Sequence, residues 1–340
     1  MAYTTINKSR DHFNTKIYTG NGYDNNAITG VGFQPDFSWI KNRSGTSSHL
    51  LTDVLTGVGK RLRADTNGAL GDQADGLKSF DSDGFTLGTT GSVNTNSSNY
   101  VAWNWKAGGS GSANSVGDIT STVSANTTAG FSLVKFTANG TNNGTIGHGL
   151  GAEPKIIFYK RTDSTGDWYV VYKYVDGSLD FMKLNANDAK VDLTLSTYGF
   201  ASSTTFTNLG FGNSQEYIAY CFAEKKGFSK FGTYKGNGNS DGTFVYTGFK
   251  PQMVIGKRFD GSEDWFIFDT ARDDRNIMYK LLYGNVSNAE YTGAERMDFY
   301  SNGFKQYNTD HKFNGNGMDY LYMAFGQTIV GDNDQPCVAR

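Results

Sequence analysis

Three short segments of the chain are apolar at nearly every position: Tyr100-Val101-Ala102-Trp103-Asn104-Trp105, Tyr217-Ile218-Ala219-Tyr220-Cys221-Phe222 and Tyr320-Leu321-Tyr322-Met323-Ala324-Phe325. Each begins with Tyr, continues with an aliphatic residue and ends on an aromatic one. Segments this short and this rich in aromatic and branched residues predict strands. In a strand, positions two and six share a face, which places Trp105, Phe222 and Phe325 in a core. Trp265-Phe266-Ile267-Phe268 lacks alternation and fits a strand buried on both faces. Asn21-Gly22, Asn139-Gly140 and Asn237-Gly238 are hairpin signals, so Lys16 to Thr19 is expected to pair with the run ending near Ile28. Gly, Asn, Asp and Ser clusters recur at intervals of roughly 8–12 residues, the rhythm of a two-sheet β-sandwich. Helix is expected only as a turn or two, Asp273-Asp274-Arg275-Asn276 being one place.

The prolines expose a repeat. Pro35, Pro154 and Pro251 each precede a strand-like run, with a lysine six residues later (Lys41, Lys160, Lys257) and His49, Trp168 or Trp265 fourteen residues later. The Asn-Gly pairs stand 13 or 14 residues before these prolines, and Phe13, Phe131 and Phe228 stand 22, 23 and 23 before them. Each unit also has a Gly-Phe pair (Gly84-Phe85, Gly199-Phe200, Gly303-Phe304) ahead of its closing segment. The expected fold is all-β, three tandem β-sandwich repeats of about 100 residues, a size at which a domain can stand alone. The boundaries are an N-terminal anchoring segment 1–12, repeats 13–109, 131–227 and 228–327, a Gly/Ser/Asn/Thr linker 110–130 and a C-terminal tail 328–340. The linker reads as flexible coil, and only Glu224-Lys225-Lys226-Gly227 joins the second and third repeats, so three beads arranged as one plus two are expected.

Composition adds exclusions. The chain has 340 residues, 37% apolar and 19% charged, with 43 Gly, 4 Pro and a net charge of -2. That balance lacks the basic excess of a nucleic-acid binder and the charge excess of a disordered chain. The start, Met1-Ala-Tyr-Thr-Thr-Ile-Asn-Lys-Ser, lacks a signal peptide's basic and apolar regions, and the apolar runs fall short of a membrane span. Two cysteines, Cys221 and Cys337, are too few for a disulfide framework; Cys221 is expected buried and Cys337 free in the tail. The histidines (His12, His49, His148, His311) are scattered without zinc-ligand spacing.

Candidate sites are few. Asp81-Ser82-Asp83-Gly84 resembles the beginning of a calcium loop, and a structural cation near Asp81 and Asp83 is the only cofactor considered; a turn role is favoured. Asp269, Arg272, Asp273, Asp274 and Arg275 read as a solvated surface ion network. Asp53 and Asp269 both stand 18 residues after a proline, but Tyr172 takes that place in the second unit, so a shared acid–base role fails. Nucleophile-elbow, phosphate-loop and zinc-protease patterns are missing, so the protein is expected not to be an enzyme; paired carboxylates for sugar cleavage would not show in sequence. Trp39, Trp103, Trp105, Trp168 and Trp265 belong to the repeated frame and are expected to be structural. Aromatics among turn residues at loop tips, Tyr283 with Asn285 and Tyr307 with Asn308, are the partner- or receptor-binding candidates.

The N-terminal nine residues, Phe13-Asn14-Thr15-Lys16, Tyr18-Thr19-Gly20-Asn21-Gly22, Gly30-Val31-Gly32-Phe33-Gln34-Pro35-Asp36, Trp39-Ile40-Lys41-Asn42-Arg43-Ser44, Phe80 to Phe85 and Val101 to Gly108 together resemble a family of tailed-bacteriophage proteins, many from marine hosts. The resemblance is closest over the first hundred residues or so. It implies a virion structural protein of the tail fibre or appendage type, present in several copies or as an oligomer and made in the host cytoplasm. Its implied partners are other virion proteins and a host-surface glycan or protein, without nucleic acid or membrane insertion. A capsid decoration protein is the alternative and a carbohydrate-degrading enzyme the weaker one; the resemblance brings no catalytic residues.

Overall fold

A lone two-sheet sandwich needs only one apolar face on each strand, yet the three closing segments are apolar on both. The computed structural model, which describes residues 4–6, 8–173, 177–275, 277–293 and 296–327, explains this. The chain is 44% strand and 3% helix, built from antiparallel sheets. Helix is confined among the described residues to Gly91–Asn94, Leu195–Tyr198 and a 3-10 turn at Ser9–Asp11. The expected helix at 273–276 is absent at its described residues: Asp273 and Asp274 have no regular structure and Arg275 is a bend.

One strand order occurs three times. An opening strand pairs with the closing strand, which pairs with the proline strand, which pairs with a fourth. These are Phe13–Thr19, Asn99–Trp105, Phe37–Asn42 and Leu50–Asp53 in the first unit. They are Phe131–Thr137, Glu216–Phe222, Ile156–Arg161 and Trp168–Tyr172 in the second. In the third they are Ser229–Lys235, Asp319–Gln327, Lys250–Arg258 and Phe266–Asp269. The register agrees as well: Tyr100 pairs with Tyr18, Tyr217 with Phe136 and Tyr320 with Tyr234. By the same register Phe13 and Phe131 correspond to Ser229, so Phe228 falls one residue early. A smaller sheet lies over each large one, formed around Gly84–Leu87, Thr205–Thr207 and Gly303–Gln306.

The closing strands alternate between two cores. Tyr100 and Ala102, Tyr217 and Ala219, and Tyr320 and Tyr322 point into a core private to their own unit. Val101, Trp103 and Trp105, Ile218, Tyr220 and Phe222, and Leu321, Met323 and Phe325 point into a fourth core shared by all three units. At its centre Trp105, Phe222 and Phe325 form a triangle with ring centroids 6.5, 5.7 and 5.8 Å apart, around a void of about 10 Å³.

This shared core corrects the beads-on-a-string expectation: each unit's large sheet has a second apolar face that only its neighbours cover. The 110–130 segment is no flexible linker either. Ser112–Asn114 and Ser121–Asn126 extend the second unit's sheet, because the Ser/Thr-rich run keeps alternation and Thr suits strands. Nor is 1–12 a free anchor at its described positions. Ile6 and Ser9 are buried, Ile6 in the shared core, and the His12 ring packs 6.1 Å from Phe228. The predicted Lys16–Thr19 hairpin does not form: Phe13–Thr19 pairs with the closing strand, while Asn26–Thr29 joins the small sheet. A type I′ turn needs positive φ at both central residues, but only Gly22 has it (73°). The turn instead carries the chain between sheets, pinned by the Asn21 N–H donating to Asn94 Oδ1 at 3.0 Å. The tail 328–340, with Cys337, lies outside the described residues; Cys221 is buried and burial pushes its thiol pKa up.

Candidate functional site

The residues that repeat at fixed distances from the prolines meet where one unit touches the next. Trp168 of the second unit donates its indole N–H to the Arg63 carbonyl of the first at 2.8 Å, and Trp265 of the third donates to the Lys183 carbonyl of the second at 2.8 Å. His49 closes the ring: its Nε2 lies 3.1 Å from the Val286 carbonyl of the third unit. Each unit thus grips its neighbour in a cyclic order. The lysines do the same. Lys160 Nζ donates to Asn67 O of the first unit at 3.1 Å, Lys257 Nζ to Asn187 O of the second at 2.8 Å and Lys41 Nζ to Ser287 O of the third at 3.1 Å. All three side chains are buried, and burial lowers each lysine's pKa to about 8.

His49 shows how local chemistry sets a tautomer. Trp39 Nε1–H, which can only donate, lies 2.7 Å from His49 Nδ1, so that nitrogen accepts and the proton sits on Nε2, facing Val286 O. Burial in this neutral form pulls the imidazole pKa down to about 4.

The acids eighteen residues after the prolines reach across the joins too. Asp53 Oδ2 accepts from the Tyr220 hydroxyl of the second unit at 2.8 Å, and Asp269 Oδ2 accepts from Trp103 Nε1 of the first at 3.0 Å. Burial raises the Asp53 pKa against the hydrogen bonds it accepts from Thr56, Tyr220 and Leu55. The third-unit counterpart of Trp103 and Tyr220 is Met323, which has no polar hydrogen to offer an acid. Tyr172 stands where the second unit would otherwise place that acid.

The ion cluster around Asp269 is interior rather than a solvated loop. Arg272 is fully buried, 2.5 Å from Asp269 Oδ2 and 3.0 Å from Glu290 Oε2, and Arg43 of the first unit grips Glu290 through two hydrogen bonds of 2.8 and 2.9 Å. Burial disfavours the Arg272 charge, but Asp269 and Glu290 outweigh it and raise its pKa. Asp273 is buried as well; Asp274 stays at the surface, and Arg275 is half-exposed over the Tyr279 ring. Facing Trp103 and Arg43 is a property of the assembled units that no local pattern of residues carries.

The loop-tip candidates divide similarly. Asn285 is buried: its Oδ1 accepts the Trp265 N–H at 2.8 Å and its Nδ2 donates to Asp264 at 2.6 Å. Tyr283 is half-buried on the edge strand Leu282–Tyr283. Between them a Cβ on Gly284 would lie 3.3–3.7 Å from Trp265, Leu184 and Trp39, one from each unit, so this is a crossing point rather than an exposed tip. Tyr307 and Asn308 are half-buried; the Tyr307 hydroxyl bonds that of Tyr300, and Asn308 Oδ1 accepts the Asp310 N–H at 3.0 Å. Of the proposed cation ligands, Asp83 accepts from Gly30 N and Gly32 N at 2.9 and 2.6 Å, and Asp81 from Ser79 and Thr86 hydroxyls at 2.8 and 2.7 Å. These carboxylates act as turn anchors.

One cleft was not anticipated. Between the second unit's large sheet and its 195–211 region, Tyr169, Phe181, Tyr198, Leu209 and Phe211 line an open pocket of about 280 Å³ with Val171 among its walls. The available signal was a spacing difference, the interval Asn208–Asn213, which is longer than its counterparts in the other units.

The family model described as Domain of unknown function (DUF7483) matches residues 8–328. The chain belongs to this family. The DUF7483 match runs through all three units and takes in the shared core apart from Ile6. No curated protein and no solved structure matches the chain.

Proposed function

We propose that this DUF7483 protein is a structural component on the exterior of a tailed-phage particle, part of a tail fibre or appendage, working by binding to the host surface or to neighbouring virion proteins. The observation that carries this reading is the use made of the buried polar side chains. Lys41, Lys160, Lys257, His49, Asp53, Asp269 and Arg272 all spend their hydrogen bonds joining or bracing units, which is the chemistry of a scaffold. The resemblance of the first hundred residues to phage virion proteins supplies the setting. A body locked in this way presents its peripheral loops and clefts in fixed positions, which suits a binding part on a particle's outside.

The test is to purify particles from an infected culture, quantify this chain by mass spectrometry and locate it by immunogold labelling. A fixed copy number with label on the tail supports the reading. Label on the head moves the protein to the shell, and absence from purified particles of a phage that expresses it refutes the virion role.

A further inference from the structure

The second unit departs from the other two at one corner. Asn96, Asn213 and Asn316 hold matching places: a Cβ on Gly22, Gly140 or Gly238 would lie 3.2, 3.3 or 2.7 Å from their respective Cβ atoms. One residue lies between Asn94 and Asn96 and between Asn314 and Asn316, whereas four lie between Asn208 and Asn213. The three extra residues fall around Leu209, Gly210 and Phe211, all of which line the cleft. Leu209 is held at φ 55°, a region that costs a branched side chain energy, while the other two units close this corner without any insertion. The sheet beneath differs to match: Tyr169 is half-exposed, whereas its counterparts Leu50 and Phe266 are buried.

The cleft walls are stiff and amphipathic. Phe211 stacks on Tyr217 at 4.0 Å with their planes 12° apart and stands 6.0 Å from Tyr169, which in turn meets Phe181 edge-on at 5.2 Å. The Tyr169 and Tyr198 hydroxyls have no hydrogen-bond partner among the described residues. No charged side chain lines the pocket. Its volume is near the lower end for small-molecule sites, roughly 300–1,000 Å³.

We propose that this cleft is a binding site for a neutral saccharide ring, stacked by its C–H face on the aromatic walls and hydrogen-bonded through its hydroxyls to Tyr169 and Tyr198. A pyranose has the matching division into an apolar face and a polar rim; a hydrocarbon would leave both tyrosine hydroxyls unpaired, and the charges that act on the Tyr169 phenol, Lys183 and Asp167, are paired with each other at 3.0 Å, which leaves an anionic sugar no free cation in the lining. The proposal rests on the host-binding version of the function proposed above and names the ligand class.

The experiment is saturation-transfer NMR on the full chain with the methyl pyranosides of glucose, galactose, mannose and N-acetylglucosamine, alongside a proline- and tyrosine-containing peptide. At least one glycoside is expected to bind, and Tyr198→Ala is expected to weaken that binding at least about tenfold with the thermal midpoint unchanged, because Tyr198 lies at the half-exposed rim. Tyr169→Phe, which keeps the ring, separates loss of the hydroxyl from loss of fold. Glycoside binding unaffected by both substitutions, or binding of the peptide alone, overturns the proposal. Particle-associated protein that binds no sugar defeats the cleft assignment only, whereas sugar binding by a protein missing from particles defeats the virion reading only.

Discussion

Truncating Phe222 to Ala tests whether the three units form one cooperative body. The ring is 3% exposed and lies 5.0–6.5 Å from Trp105 of the first unit, Phe131 and Phe158 of its own, and Phe231 and Phe325 of the third. Removing it loses the transfer energy of a buried aromatic ring and enlarges a void that is only about 10 Å³. Such substitutions cost about 3–5 kcal/mol. The upper part of that range is expected here, because the enlarged cavity is lined by rings and would stay dry. The cost should also be felt by all three units. In a guanidinium titration followed by hydrogen exchange and mass spectrometry, peptides from each unit should share one transition and shift together. Tryptophan fluorescence, with Trp39, Trp103 and Trp105 reporting on the first unit, should coincide with far-UV circular dichroism. If only peptides within 131–227 shift, or if the loss is under about 1 kcal/mol, the shared core contributes little and the units are independent after all.

Other joins make narrower predictions. His49, neutral when folded with a pKa of about 4 against an ordinary 6.5, contributes stability that is complete above pH 6.5 and lost as pH falls toward 4; the full difference is about 3 kcal/mol, and His49→Gln should flatten that part of the stability–pH curve relative to wild type. Tyr220→Phe removes the donor 2.8 Å from Asp53 Oδ2 and should cost about 1–3 kcal/mol by chemical denaturation, with no loss if the bond is not made in solution. Ile6→Ala should cost about 2–5 kcal/mol because the side chain is 1% exposed in the shared core; a neutral effect in thermal melts would restore the N-terminal segment as a detached anchor.

The sheets were legible because their signals are local. Pro35, Pro154 and Pro251 stand at or just before strands, and the Tyr-led segments are strands whose alternation can be read residue by residue. The shared core left a clue in the same segments, since Tyr220 and Cys221 on successive positions leave no polar face, but nothing local says what covers the second face. Asn21-Gly22 misled because a hairpin and a sheet-to-sheet crossing both favour glycine at positive φ; what distinguishes them is Asn94, 73 residues away. The Ser and Thr content of the run through Ser121 to Asn126 suggests coil, although the same alternation serves a strand once Phe131–Thr137 lies on one side of it and Ser112–Asn114 on the other. Polar sequence neighbours hide the burial of Asn285 and Arg272: Asn285 is taken up by Trp265 and Asp264 of its own unit, and Arg272 lies against Trp103 and the Arg43–Glu290 pair, which join it to the first unit. The cleft required comparing spacings between units, and the strain at Leu209 had no counterpart in the sequence.

Joining the three units in one polypeptide has a consequence for valency. A ring of identical subunits repeats every surface feature at each position, so it carries three copies of a pocket or none. Here each position can diverge while the joins stay complementary, as His49 does beside Trp168 and Trp265, and Tyr172 beside Asp53 and Asp269. The three-residue insertion stands at the cleft of one position, and the matching corners of the other two lack it. A ligand of that cleft would be engaged once per chain. Strong attachment would then come from how many chains are arrayed side by side and how far apart they stand, as effective concentration rather than as affinity within one chain.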